Sequence, residues 1–372
     1  RMLAGSQRAG HLWTLPGSAA GLITWARRLG RHPLFQDADA IYTVAFKTHL
    51  AVAWLRRHPV VWHLHEYPPA ATTMLWRALR RFVPDAMIAN SEATAKAWGS
   101  TTVIPNGVDL DRFRPRPRSY WIHEQLGIPR EHRIIGMPAV FARWKGQPEV
   151  IKAFSVIRSQ FSDVHLVIVG GSIYDTVAER EYGVELRAWI AGEGQAARGR
   201  GEPTGERFPF PVSRFPQVHL LPFQPKIELV YPEFDLALHY SLRPEPFGRV
   251  ILEAMASGVP VIAAGEGGPV EILGKGEGGM GKGSKDVQRA TYNVQRISDL
   301  GHRTSDLAAG WLAPPRDVPA LAQTLREALS LPASELRAMG QAARRRAEDH
   351  FSARQFARRV ADVLRGAVLE AP

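Results

Sequence analysis

Cysteine is absent from the 372 residues, which excludes disulfides and thiolate chemistry and leaves a reducing cytoplasm compatible with the chain. Long apolar runs are missing too. None approaches the ~20 residues that a membrane helix needs, and no signal peptide is evident, so a soluble or peripheral protein is expected. Zinc-ligand spacings, an aromatic-basic RNA-binding signature and a helix-turn-helix are also lacking, so no nucleic acid is expected as a partner. Acidic residues are short in one region only. Residues 1–130 hold 17 Lys and Arg against 8 Asp and Glu, a net +9 that leaves +2 of the total +11 for the rest. That asymmetry points to an anionic partner for the N-terminal part, such as a phospholipid surface or a phosphorylated acceptor.

What is present suffices for two globular domains: 45% of the residues are hydrophobic, and 28 prolines punctuate the chain. From Asp39 onward, short apolar runs alternate with amphipathic stretches, the pattern of parallel sheets wrapped by helices. Strands are expected over 40–45, 60–64, 86–89 and 102–104, with helices over 47–57, 72–82 and 92–98. The Asn106-Gly107 turn and the Pro/Arg-rich stretch 112–118 read as an interdomain connection. The alternation restarts with strands over 133–137, 165–169, 218–221, 235–239 and 259–263, and the stretch 318–368 reads as helices. Gly-rich inserts over 192–205 and 274–283 read as mobile loops. Two doubly wound domains bind ligands outside the carboxyl ends of their strands, which makes the cleft between them the expected site.

The most informative stretch runs from Pro244 to Ala263. Pro246 and Gly248 mark a turn, Val250 to Ser257 form a helix, Gly258 ends it, and a short buried strand follows. The backbone amides of Phe247, Gly248 and Arg249 then lie at a helix N-terminus, where unpaired N–H groups and the helix dipole favour a diphosphate. Glu245 precedes that anion site, and Glu253 lies roughly 7 Å further along the helix. Taken alone, Arg249, Glu253 and Ser257 at i, i+4 and i+8 also fit a solvated stripe with a weak surface ion pair.

Glu245 to Glu253 resembles the E-x7-E signature of the retaining glycosyltransferases of family 4, which have the GT-B fold. Further landmarks follow in the family's order: Asn90 to Thr94, Ile104 to Phe113, Trp144-Lys145-Gly146-Gln147, Gly267 to Ile272, and Trp311 to Pro315. The resemblance runs from about Asp39 to the C-terminus. It implies an α/β protein of two Rossmann-like domains facing a cleft, over 1–118 and 119–350, with a C-terminal helix over 351–372 that crosses back to the first. Residues 1–38 do not resemble the strand and Gly-rich loop that open such N-domains, so that domain is expected to be incomplete.

The implied activity is metal-independent, retaining transfer of a sugar from a nucleotide donor, such as a UDP- or GDP-sugar, to an unidentified acceptor. No cofactor is implied. Lys145 supplies leaving-group charge and binds the donor with Phe247, Gly248, Arg249 and Glu253. The family's arginine five residues before the loop lysine is Val140 here, which leaves Arg143 as the nearest substitute. By the same resemblance His65 is the active-site histidine and Glu245 its partner beside the sugar. From the residues alone, His65 is equally a packed strand-end histidine, or a metal ligand sharing a face with His63, although no third ligand has convincing spacing. The stretch 72–81 sets Leu75, Trp76 and Leu79 among Arg77, Arg80 and Arg81, which suits either a helix on an anionic membrane face or one packed on its own sheet. The expected location is cytoplasmic, peripheral at the inner membrane face. A nucleotide-sugar epimerase and a catalytically inactive sugar-nucleotide or nucleic-acid binding protein are the alternative readings.

Overall fold

The computed structural model describes residues 16–53, 55, 57–99, 101–171, 176–191, 217–274 and 309–370. The Gly-rich inserts lie outside the described residues, Gly274 excepted. The chain divides into two compact units, residues 1–107 with 353–372, and residues 108–352.

The first unit contains α1 (Pro16–Gly30), α2 (Pro33–Gln36), β1 (Ile41–Thr43), α3 (Phe46–Ala53), β2 (Val60–Leu64), α4 (Thr73–Leu79), β3 (Ala86–Ala89), α5 (Glu92–Trp98) and β4 (Thr102–Val103). Its sheet is parallel in the order β1-β2-β3-β4. All five residues of β2 are buried, as expected for a parallel strand covered on both faces. One face carries a tryptophan cluster in which Trp62 of β2 meets Trp76 of α4 and Trp98 of α5, with ring centroids 5.9 and 6.5 Å away. Ser91 caps α5 by accepting the Thr94 amide at 3.0 Å.

The second unit contains α6 (Trp121–Leu126), β5 (Arg133–Pro138), α7 (Gln147–Ile157), β6 (Val164–Val169), α8 (Val177–Ala191), β7 (Val218–Leu221), β8 (Leu236–His239), α9 (Arg249–Ala256), β9 (Val261–Ala264), α10 (Gly268–Leu273), β10 (Gly310–Ala313), α11 (Val318–Leu329) and α12 (Ala333–His350). The parallel sheet has the order β10-β9-β8-β5-β6-β7. Chain direction across the sheet reverses between β5 and β8, so the carboxyl end of β8 lies at a topological switch point, where open α/β sheets bind ligands. The last helix, α13 (Ala353–Leu369), returns to the first unit, where Val360 and Ala367 pack with Val61, Ile88 and Ile104 on the second face of its sheet.

The division at 107/108 lies upstream of the boundary expected at 118/119. The stretch after Gly107 is packed rather than a free connection: the Val108 amide donates to Phe351 O at 2.8 Å, and Phe113 is buried. The Arg344 guanidinium also donates to Phe113 O at 2.6 Å and to Leu110 O at 3.3 Å.

Candidate active site

Strand β8 is apolar through Leu238 and then delivers three polar side chains to its carboxyl end, His239, Tyr240 and Ser241. Tyr240 pins the following loop, because its hydroxyl donates to Pro314 O at 2.7 Å and accepts the Asp317 amide at 3.0 Å. The Leu242 amide donates to Trp144 O at 2.7 Å, which sets the turn carrying Arg143, Trp144 and Lys145 against this loop. Gly146 is required there. Its φ is +70°, and a Cβ would fall 2.2 Å from Tyr240 O.

These contacts bring Lys145 and Glu245 together although they are 100 residues apart. Lys145 Nζ donates to Glu245 Oε2 at 2.8 Å and lies 4.0 Å from the Trp144 ring centroid. The same oxygen accepts the Ser241 hydroxyl at 2.7 Å and faces His239 Nε2 at 3.2 Å. Only 14% of the Lys145 and 15% of the Glu245 side chain is exposed. Burial raises the Glu245 carboxyl, but the hydrogen bond from His239 and the charge and hydrogen bond of the Lys145 ammonium outweigh it and hold the group well below the usual carboxylate range. Glu245 is therefore an ionised, oriented carboxylate at the mouth of α9.

Helix α9 starts after Gly248, whose φ is +109° and which offers no side-chain cap to the first-turn amides. The Gly268 amide donates to Glu245 O at 2.9 Å, so the Gly267-Gly268 loop braces the segment that enters the helix. The Phe247 side chain is an anchor, buried and edge-on to Phe351 at 6.3 Å. Arg249 is 77% exposed, and its guanidinium is 3.6 Å from Glu253, which is 13% exposed. Glu253 is no member of a solvated stripe. Its Oε2 accepts the hydroxyl of the buried Tyr231 at 3.0 Å, and Ser257 is buried with its hydroxyl donating to Glu253 O at 2.9 Å. Burial raises the Glu253 carboxyl above its ordinary value, against the pull of Arg249 and the Tyr231 hydrogen bond.

Arg143 stands apart from this group. It forks onto Glu185 of α8 at 3.2 and 2.5 Å, stacks over Tyr182 at 5.2 Å, and is 70% exposed. At the position of the missing arginine, the Val140 carbonyl accepts from the buried Gln147 at 2.8 Å, and the Tyr182 hydroxyl donates to the same amide at 3.1 Å.

In the first unit, His65 follows β2 and is half-buried beside His63, with ring centroids 4.1 Å apart. A small pocket at the carboxyl ends of β1 and β2 is lined by His65, His49, Glu66, Phe46 and Trp98. Burial is the main reason that His49 and His63 are both held down to about 3 and neutral, with the neighbouring His65 adding to it. Thr43 hydrogen-bonds His49 Nδ1 at 2.6 Å, and the Tyr42 hydroxyl bonds His63 Nδ1. Among the described residues no group of three His, Asp or Glu is gathered as a metal centre.

Sequence reasoning missed His239, Ser241 and Tyr231. The first two carried a signal, since polar residues end an otherwise buried strand four and six residues before Glu245. Tyr231 carried none. In α4 Trp76 is buried in the core, as expected of a helix packed on its own sheet, while Met74, Leu75 and Arg77, with Arg81 and Phe82 just beyond the helix, are exposed. Arg80 is committed elsewhere, donating to Trp98 O and Gly99 O at the end of α5.

Two family models match the chain: "Glycosyltransferase Family 4" over residues 5–112 and "Glycosyl transferases group 1" over residues 216–303. The first match starts well before Asp39, so the opening residues share more with the family than the motifs alone suggested. His65 lies in the first match and both glutamates in the second; Arg143 and Lys145 fall outside both. The GDP-mannose-dependent alpha-(1-6)-phosphatidylinositol monomannoside mannosyltransferase of Mycolicibacterium smegmatis is 29% identical over 65% of this chain and 61% of its own length. The D-inositol 3-phosphate glycosyltransferase of Acidothermus cellulolyticus is 30% identical over 57% of this chain and 43% of its own length. The chain thus spans roughly half of the curated relatives that it matches. Among solved structures, Anabaena HepE in complex with UDP-glucose has a TM-score of 0.67 at 23% identity, covering 93% of this chain and 82% of that one. The sucrose-phosphate synthase of Thermosynechococcus elongatus has a TM-score of 0.68 at 20% identity, covering 98% and 80%. At such identities the likeness shows the fold alone, which is GT-B.

Proposed function

The chain belongs to the family 4 glycosyltransferases of group 1, and from that premise we propose that it moves a sugar from a nucleoside-diphosphate donor to an acceptor hydroxyl with retention at the anomeric carbon. The observation that carries this reading is the buried, ionised Glu245 held by Lys145 at the start of α9. The Lys145 ammonium has three donors, and Glu245 takes one of them. The others, with the first-turn amides of α9, can receive the diphosphate and the charge that grows on it as the bond to the sugar breaks. The acceptor oxygen then bonds to the anomeric carbon on the same face, and its proton passes to the phosphate oxygen that left. Glu245 orients the sugar and offsets positive charge at the anomeric carbon. Glu253, further along the helix, receives the ribose hydroxyls, and His65 contacts the sugar. This chemistry assigns no role to a metal ion or cofactor.

UDP-, GDP- and ADP-sugars should be screened for thermal stabilisation of the chain, since a ligand of the native state raises Tm by mass action, and then for turnover in EDTA. The reading expects one class to stabilise the chain and to be hydrolysed or transferred with the anomeric configuration kept. Interconversion of the nucleotide sugar without an acceptor would select an epimerase instead. Binding without turnover would leave an inactive sugar-nucleotide protein.

The acceptor side of the reading is a cytoplasmic, anionic membrane surface on which the first unit rests. Met74, Leu75 and Phe82 are exposed beside Arg77 and Arg81, and no acidic residue occurs between Glu66 and Asp85. No helix among the described residues is long and apolar enough to cross a membrane. Vesicles containing phosphatidylserine should bind the chain at low salt, and Arg77→Glu with Arg81→Glu should abolish that binding. Binding that is absent, or indifferent to the pair of substitutions, contradicts the membrane reading.

A further inference from the structure

We propose that His239 and Ser241 are positioning residues that hold Glu245 in place as an ionised carboxylate while Lys145 engages the donor. The proposal rests on the functional reading above and concerns two side chains that it leaves without a role. His239 ends β8, a strand paired on both sides, and its side chain is 4% exposed. An imidazole in such a place is costly to bury unless its polar atoms are used. Among the described residues Nδ1 has no side-chain partner, whereas Nε2 is 3.2 Å from Glu245 Oε2 and 3.2 Å from Ser241 Oγ. The carboxylate at Nε2 is the stronger acceptor facing the ring, so the proton of the neutral imidazole belongs on Nε2. Burial, with the Lys145 charge, disfavours a second proton on the ring.

Glu245 Oε2 thus has three donors of two kinds. Lys145 is a charged donor on a flexible stem, and the one that a diphosphate would draw away. His239 and Ser241 are neutral donors fixed at the end of a central strand, and a phosphate offers them no competing advantage. When the ammonium turns to the donor, these two keep the carboxylate ionised and aimed. Their loss should therefore be felt in the chemical step more than in donor binding.

The test uses the full chain and the nucleotide sugar that it turns over. His239→Ala and Ser241→Ala should each lower kcat about tenfold to a hundredfold, with donor KM changed less than about threefold. His239→Gln, whose amide N–H can reach the place of Nε2, should recover most of the rate. His239→Asn, whose amide falls short, should not. A second readout needs no activity: NMR of ring-labelled histidine should find the Nε2–H tautomer in the wild type and a mixture of tautomers in Glu245→Ala. Unchanged kcat in both alanine variants, equal rates for the Gln and Asn variants, or a His239 tautomer indifferent to Glu245→Ala would each overturn the proposal. Should the wild type turn over no nucleotide sugar, the functional reading fails, and the tautomer experiment still decides whether His239 holds Glu245.

Discussion

The two units each bury polar side chains at the carboxyl end of a central parallel strand, but they make them tolerable in opposite ways. At the end of β2 the group is kept neutral: His49 and His63 are both held near 3, and Thr43 and Tyr42 hydrogen-bond them. At the end of β8 the group is kept charged, since Glu245 is ionised and shares its Oε2 among Lys145, His239 and Ser241. The cost of transfer into a low-dielectric interior is avoided in the first case by losing the charge and offset in the second by pairing it. The two devices suit different partners. Neutral imidazoles beside aromatic rings can face hydroxyls, whereas a fixed carboxylate beside an ammonium can face a positive reacting centre and a diphosphate.

The largest effect should come from unbalancing the charged cluster. Lys145→Met leaves a buried carboxylate without its counter-charge and should destabilise the chain by about 3 kcal/mol or more, besides weakening donor binding. Lys145→Met with Glu245→Gln should regain most of that loss, because the pair is removed together. Chemical denaturation of the single and double variants checks this, and strict additivity would show that the two side chains do not depend on each other.

Mild acid should separate the units next. The unfolded-state value for histidine is 6.5, and the folded values for His49 and His63 lie near 3. The unfolded chain therefore takes up protons first, and the stability that these neutral rings contribute is complete above about 6.5 and lost as pH falls toward 3. Each should cost about 1 to 2 kcal/mol between pH 6.5 and 5. His165 in the second unit, held at about 4, adds a nearly equal loss there, and burial lowers His219 and His239 as well, so the contrast rests on the smaller unit carrying two such rings. The Glu245 contribution runs the other way in origin: its folded value is depressed, so it stays in full until pH drops below the unfolded carboxylate value. Hydrogen exchange at pH 6.5 and 5, corrected for intrinsic rates, should show β2 and β3 opening before β8 and β9. Equal loss of protection in both sheets would erase the contrast.

The smallest effect should be at Arg143, a surface pair outside both clusters. Glu185→Gln should cost under about 1 kcal/mol. If the freed arginine serves the donor, it should also improve donor affinity by about two- to fivefold. An unchanged donor KM would remove Arg143 from the site.

Much of this architecture was legible in the sequence. The strands over 60–64, 86–89 and 218–221 fall where apolar runs put them, and α5 starts at Glu92, after the capping Ser91. Glu245 and Glu253 were readable because local turn and helix signals fix their positions relative to one helix end. Contacts set by tertiary packing were not readable. Tyr231 reaches Glu253 across 22 residues and Arg143 reaches Glu185 across 42, and nothing in either local stretch encodes the partner. The division at 107/108, upstream of the expected boundary, was not readable for the same reason. A Pro/Arg-rich stretch looks like a connection until Arg344, more than two hundred residues later, binds the Phe113 carbonyl.

The division of labour between the two glutamates is the centre of the account, and steady-state kinetics of Glu245→Gln and Glu253→Gln, side by side with the wild type, tests it most directly. Glu253→Gln should raise donor KM by about tenfold or more, through lost charge-assisted hydrogen bonds to the ribose, and spare most of kcat. Glu245→Gln should lower kcat more than it raises KM, because its carboxylate acts on the charge that appears only in the transition state. Equal losses of kcat in both variants, or wild-type kinetics in both, would contradict the account.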